Sequence, residues 1–120
     1  MMLLTWGELL DKSMTVVAVT TWEGTPAAIE TLVAGSKAAK PIHESLGAKK
    51  PRLMRAAAGA GSDGSLAYYS VEFDSIEAYG AFFDKVLGSD WFAQTVEVVG
   101  QAYPDLKNRG TVVYYDAIED

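Results

Sequence analysis

The sequence predicts an α+β fold: a four-stranded antiparallel sheet with its helices on one face, in the element order βαββαβ. Three observations predict it. Runs rich in β-branched and aromatic residues recur at 14–22, 65–73 and 111–118. Capped segments with helical spacing follow the first two of these runs. A weaker strand pattern at 51–59 is joined to the run at 65–73 by a glycine-rich link too short for a helix.

The first strand, "MTVVAVTTW", is apolar on both alternating faces. Val17 and Val19 point one way, and Val16, Ala18 and Trp22 the other. Such a strand is covered on both sides. The first helix opens at Thr25, a good N-cap, with Pro26 at the first helical position, where its missing N–H costs nothing. Ile29, Leu32, Val33 and Ser36 follow at helical spacing. Pro41 lies inside the pattern, so the helix is expected to kink or restart near Ala39 and to end at Gly47.

Gly59, Gly61 and Gly64 match the spacing G-x-G-x-x-G of a dinucleotide turn. That turn needs a helix after its glycines, because the pyrophosphate sits on the helix N-terminus. Here the strand "SLAYYSVEF" follows, so the glycines belong to a hairpin loop. In that strand Tyr69, Val71 and Phe73 share one face, and Tyr68, Ser70 and Glu72 the other. Asp74 and Glu77 read as a capping box for the second helix, whose apolar stripe is Ile76, Tyr79, Phe83 and Val86. Gly88 ends it, and "SDWFAQTVEVVGQAY" restarts a helical segment with Trp91, Val98 and Val99 inward. A polar connector, 104–110, leads to the last strand. This is the ferredoxin-like arrangement.

Two helices cover one face of such a sheet. The other face still carries apolar and aromatic residues whichever way it is turned. A face of that size exceeds what a soluble monomer exposes, and a second copy related by a two-fold axis is the simplest cover. A homodimer is expected.

The domain so read spans 14–120. Residues 1–13, "MMLLTWGELLDKS", fit poorly with it. They are either an upstream extension, with Met14 the natural start, or a short helix with Leu3, Leu4, Trp6, Leu9 and Leu10 on one face, packing on the domain or on a partner.

The 120 residues make one domain, 49% hydrophobic and 22% charged. The absence of cysteine excludes disulfides, thiolate metal sites and a cysteine nucleophile. A net charge of −6 argues against general nucleic-acid binding. No apolar run approaches the ~20 residues of a membrane span, and the N-terminus lacks a leading positive charge, so a cytoplasmic protein is expected. Basic residues gather at Lys37, Lys40, Lys49, Lys50, Arg52 and Arg55, offset there only by Glu44. This patch is either solvated or an anion-binding rim or a surface for an acidic neighbour.

The element order, the phrases "KPIHESLGA" and "SVEFDSIEAYGAFFDKV", and the "DWF" restart resemble the dimeric α/β barrel superfamily over 14–118, nearest to its NIPSNAP-like and uncharacterised bacterial members. The resemblance implies a ferredoxin-like sheet that dimerises through its bare face into an α/β barrel. The superfamily includes cofactor-free monooxygenases, haem-degrading enzymes, haem peroxidases and isomerases, so the fold does not select a reaction.

His43 is the only histidine, and histidine ligates iron in the haem-binding members. It has no acidic or histidine partner at i+4, which leaves a metal site unsupported. Trp22, His43, Arg55, Tyr69, Tyr79 and Trp91 are the candidate ligand-binding residues, and His43, Tyr79 and Trp91 the candidates for chemistry. The superfamily's oxygenase pattern of Asn with Trp and Tyr is not met, because Asn108 is the only asparagine and falls in the connector. No serine–histidine–acid set is present. The expected function is binding of a small apolar or aromatic molecule between helices and sheet, without a cofactor. The alternatives are a cofactor-free monooxygenase or isomerase acting on an aromatic or quinone-like compound, and, behind these, haem binding.

Overall fold

The computed structural model describes residues 14–118; the two readings of 1–13 lie outside these residues. The elements are β1 (Val16–Gly24), α1 (Pro26–Ser45), β2 (Lys49–Met54), β3 (Leu66–Phe73), α2 (Ile76–Leu87), α3 (Asp90–Ala102) and β4 (Leu106–Tyr115). The four strands form one sheet in the order β2-β3-β1-β4, antiparallel throughout. The expected α+β, ferredoxin-like arrangement is the observed one.

Register assigns the faces, because residues directly opposite one another share a side. Val16 pairs with Phe73, Ala18 with Val71, Thr20 with Tyr69 and Trp22 with Ala67. This is the helix side. Val16, Ala18, Val71 and Phe73 pack there with Ala48, Phe82 and Val86 in the main core. A second cluster of Ile29, Ala67 and Leu106 fills the other end beneath α1 and the end of α3.

The opposite face holds Val17, Val19, Ser70, Glu72, Arg52, Val112 and Tyr114, by the same pairing. No described helix covers it, and Val112 and Tyr114 are 51% and 54% exposed. It is divided. The β1–β4 half is apolar, while the β2–β3 half carries Arg52 and Lys50 against Glu72. Ser70 lies between the halves with its hydroxyl buried and unpartnered.

Several expectations need correction. α1 runs unbroken through Pro41 to Ser45. A single missing N–H removes one hydrogen bond, and the helix is anchored on either side of the proline because Ala39 and His43 are both buried. β2 begins at Lys49 and stops at Met54, leaving the alanine-rich stretch in the hairpin loop. Gly59, Gly61 and Gly64 all take positive φ in that loop. Ser75, not Asp74, caps α2 by accepting from the Ala78 N–H. Asp74 is left free to bind Lys49. Phe82 and Val86 form the buried stripe of α2, while Phe83 is 46% exposed. In α3 Val98 faces solvent, and Trp91 and Val99 are half-buried. The connector before β4 shortens to 103–105, with a cis Tyr103–Pro104 bond, since Lys107 and Asn108 already pair with Glu23 and Trp22. Polar composition hid the start of that strand.

Candidate functional site

The end of α1 aims His43 inward. Leu46 is the C-cap, and Gly47 follows at φ +112°, a conformation that glycine tolerates and other residues resist. The Ala48 N–H then donates to the His43 carbonyl and the Gly47 N–H to the Glu44 carbonyl, which closes a Schellman motif. With its backbone fixed this way, and Ala39 one turn earlier on the same face, His43 is 6% exposed.

Tyr69 meets it from the sheet. Strand alternation turns Tyr69 to the helix side, and its hydroxyl lies 2.5 Å from His43 Nδ1. Around the pair stand aromatic rings. Trp91 is edge-on to His43 at a centroid distance of 4.4 Å, and Phe82 at 5.8 Å. Trp91 reaches the site because Ser89 caps α3 by accepting from the Phe92 N–H, which places Trp91 in the first turn of the new helix, against His43.

Burial disfavours the imidazolium, so the His43 pKa lies below its ordinary 6.5. Burial, with the Glu44 charge adding to it, pushes the Tyr69 phenol up to about 12. Near neutral pH the pair is therefore an uncharged imidazole beside an uncharged phenol. With the proton on Nδ1, His43 donates to the phenol oxygen, Nε2 is a free base, and the Tyr69 hydroxyl can donate elsewhere. In the other tautomer Tyr69 donates to Nδ1 and Nε2–H becomes a donor. The arrangement can accept a proton from a ligand or donate to one.

The structure thus brings together His43, Tyr69 and Trp91, and sets the other three candidates apart. Tyr79 meets Phe73 edge-on at 5.5 Å, one helical turn from Phe82 and out of ring contact with His43. Trp22 packs with the second cluster at the far end of the sheet. Arg55 lies beyond the end of β2 in an ion pair with Glu30 of α1. Phe82 and Glu44 are the members that the sequence reading did not select. The i, i+4 pair Phe82/Val86 was the available signal for Phe82, since it competes with Tyr79/Phe83 for the inner face.

The basic patch meets acids of its own chain: Lys49 binds Asp74, Lys50 and Arg52 flank Glu72, and Arg55 binds Glu30. Among the described residues no group of three His, Cys, Asp or Glu could hold a metal ion. The His43 site does not fit a haem: aromatic rings crowd the imidazole from β3, α2 and α3 and leave no room for a macrocycle beside it. Two surface grooves, of about 390 and 240 Å³, open elsewhere, one beside Gly24, Ser65 and Lys107 and one beside Lys49, Lys50 and Asp74. No helix of the described residues is long and apolar enough to cross a membrane.

No protein-family model matches the chain, and no curated protein matches it. Solved structures do. The chain is similar to a dimeric ferredoxin-like protein from an uncultured marine organism (TM-score 0.68, 13% identity, covering 89% of this chain and 99% of that one). It is similar to a putative antibiotic biosynthesis monooxygenase from Caulobacter crescentus (TM-score 0.55, 21% identity, 89% and 92% covered). It is also similar to SnoaB, a cofactor-independent oxygenase from Streptomyces nogalater (TM-score 0.56, 14% identity, 88% and 95% covered). At these identities the likeness establishes the ferredoxin-like fold.

Proposed function

We propose that this chain works as a homodimer joined through the bare face of its sheet, and that each subunit binds a small apolar or aromatic molecule between helices and sheet at His43, Tyr69 and Trp91. The observation that carries the ligand reading is the His43–Tyr69 hydrogen bond inside a wall of aromatic rings. Binding sites for small organic molecules combine mainly apolar walls with a few fixed polar groups, and this is the place in the described residues with both. The dimer reading rests on the apolar β1–β4 half of the bare face. Placed against its own copy, that half forms a dry centre and leaves the charged β2–β3 half at the rim. The dimeric ferredoxin-like neighbour supports it. The reading extends to a cytoplasmic protein without a bound cofactor, akin to the NIPSNAP-like bacterial members of the superfamily.

A second reading, a cofactor-free monooxygenase or small isomerase, is favoured by the same pair. A neutral imidazole can take the proton of a phenol or quinol through Nε2, while Nδ1–H donates to the Tyr69 oxygen and so steadies the imidazolium that forms. The resulting anion is the electron-rich form that reacts with dioxygen or shifts a double bond. The neighbours described as a monooxygenase and a cofactor-independent oxygenase support this reading.

Titration calorimetry with planar phenols and quinols, comparing the native chain with Tyr69→Phe and His43→Gln, tests the site. Affinity lowered about tenfold by each substitution is expected, the worth of one well-placed hydrogen bond. Equal affinity in all three proteins refutes it. For the second reading, oxygen uptake with a quinol and no added metal or flavin must fall with His43→Gln; an uptake rate indifferent to His43 removes it.

A further inference from the structure

His43 is enclosed on the imidazole side of its pair with Tyr69. His43 is 6% exposed and Tyr69 partly buried, neither lines either of the two grooves, and the indole of Trp91 lies edge-on against the imidazole at 4.4 Å. A ligand that binds there must displace something. The three helices around the pair are not equally held. α1 buries Ile29, Ala39 and His43, and α2 buries Phe82 and Val86, whereas α3 buries no residue fully. α3 touches the core only through the partly buried Trp91, Phe92 and Ala102 and leaves Val96 54% and Val98 62% exposed, so less apolar burial opposes its departure than opposes that of α1 or α2. Its joint to α2 is short. Only Gly88, the C-cap of α2, and Ser89 lie between the helices, and the Ser89 hydroxyl donates to the Val86 carbonyl while accepting from the Phe92 N–H.

We propose that Trp91 is an internal plug: its indole fills the slot that a planar one- or two-ring aromatic ligand takes, and α3 swings about Gly88–Ser89 to exchange one for the other. This rests on the ligand reading above and adds the ligand's shape and the residue that controls entry. A flat ring replacing the indole inherits its edge-to-face contact with His43 and lies within reach of the Tyr69 hydroxyl, a geometry that favours aromatic pairs. The plug also keeps the pair dry when no ligand is present, and it makes the affinity for ligand lower by the cost of opening.

Two measurements on the full chain test it without presuming a ligand. Amide hydrogen exchange of the native protein reports opening directly. The amides of α3 are expected to exchange at least about tenfold faster than those of α1 and α2, since α3 opens locally; equal protection in all three helices overturns the proposal. The second reads access to His43, the only histidine, by its modification with diethyl pyrocarbonate. Trp91→Ala is expected to raise that rate about tenfold by emptying the slot, and indole added to Trp91→Ala is expected to restore the protection. An unchanged rate in Trp91→Ala, or a raised rate that indole fails to lower, overturns it. If Trp91→Ala does not fold, the exchange measurement on the native chain still decides. Failure of the ligand reading alone would leave fast α3 exchange and indole rescue in place.

Discussion

His43 Nδ1 and the Tyr69 hydroxyl, 26 residues apart in the chain, lie 2.5 Å from each other and tie the last turn of α1 to the middle of β3. Tyr69→Phe removes the hydroxyl and leaves a buried imidazole nitrogen without a partner. The cost of such an orphan is ~1–3 kcal/mol. His43→Leu instead removes the polar ring, and adding Tyr69→Phe to it is expected to cost much less than Tyr69→Phe alone. Urea unfolding of the two single variants and the double variant gives the coupling, expected at ~1 kcal/mol in magnitude. Strictly additive costs would show that the two side chains touch without stabilising each other.

The same burial sets a dependence on pH. His43 is held neutral, with its pKa in the fold below the ordinary 6.5 of the unfolded chain. Above pH 6.5 neither state binds the proton, and the full stability is present. As pH falls below 6.5 the unfolded chain gains a proton that the folded chain refuses, so stability declines, with a limiting slope of about 1.4 kcal/mol per pH unit. The decline levels off once the folded pKa is passed. His43→Gln should flatten this part of the profile in thermal scans between pH 7 and 5. An unchanged decline in the variant would assign it to other groups. At the alkaline end the sign reverses for Tyr69, whose pKa is pushed up to about 12: stability is lost as pH rises above 10. In a phenolate absorbance titration the step lost in Tyr69→Phe is expected at a pH of about 12.

The legible parts of this fold are those fixed by local chemistry. Thr25–Pro26 marks the start of α1, Gly47 its end, and the alternation at 65–73 places Tyr69 on the helix side, each from a handful of adjacent residues. What the sequence hides depends on competition between neighbours. Phe82 and Phe83 are equally apolar, and only the docking of α2 on the sheet decides which turns inward. Lys107, Asn108 and Arg109 make the stretch around the apolar Leu106 read as a loop, yet 106–108 extend β4 because Gly24, Glu23 and Trp22 of β1 offer them partners. The candidate site is half legible for the same reason. His43 and Trp91 stand out by residue type. The hydrogen bond that joins His43 to Tyr69 rather than Tyr79 is a property of the assembled layers.

Close backbone approach at Gly24 gives a sharper test of the fold. A Cβ built there would sit 2.4 Å from the Asp105 carbonyl oxygen, which is itself held in place by the Thr25 N–H at 2.9 Å. That oxygen and the Leu106 Cα, at 3.3 Å, are backbone and cannot rotate away. Gly24→Ala is expected to cost ~1–3 kcal/mol through strain where β1 meets the start of β4. Gly35 is the contrast. It lies within α1, and a Cβ there meets nothing within 4 Å. Gly35→Ala should therefore stabilise by ~0.5–1 kcal/mol through helix propensity. Unfolding midpoints of opposite sign for two glycine-to-alanine changes are the expected result; two shifts of the same sign contradict the packing described.

The divided bare face predicts where a dimer is vulnerable. Val112 and Tyr114 lie opposite Val19 and Val17 in the apolar β1–β4 half and are each more than half exposed in the single chain. Burying such a face contributes roughly 25 cal/mol per Å², which must exceed the entropy lost on association. Val112→Glu places an unpaired charge in the middle of that half, and the two-fold axis brings two copies of the charge into one interface. Sedimentation equilibrium at micromolar concentration is expected to show a particle of twice the chain mass for the native protein and of one chain mass for Val112→Glu. Ile118→Glu, at a position 91% exposed and outside the sheet, should leave the mass unchanged. Arg52→Glu, in the charged half, should weaken the dimer only modestly, because rim charges stay solvated. If Arg52→Glu breaks the dimer and Val112→Glu does not, the copies meet through the charged half, and the apolar centre proposed for the interface is wrong.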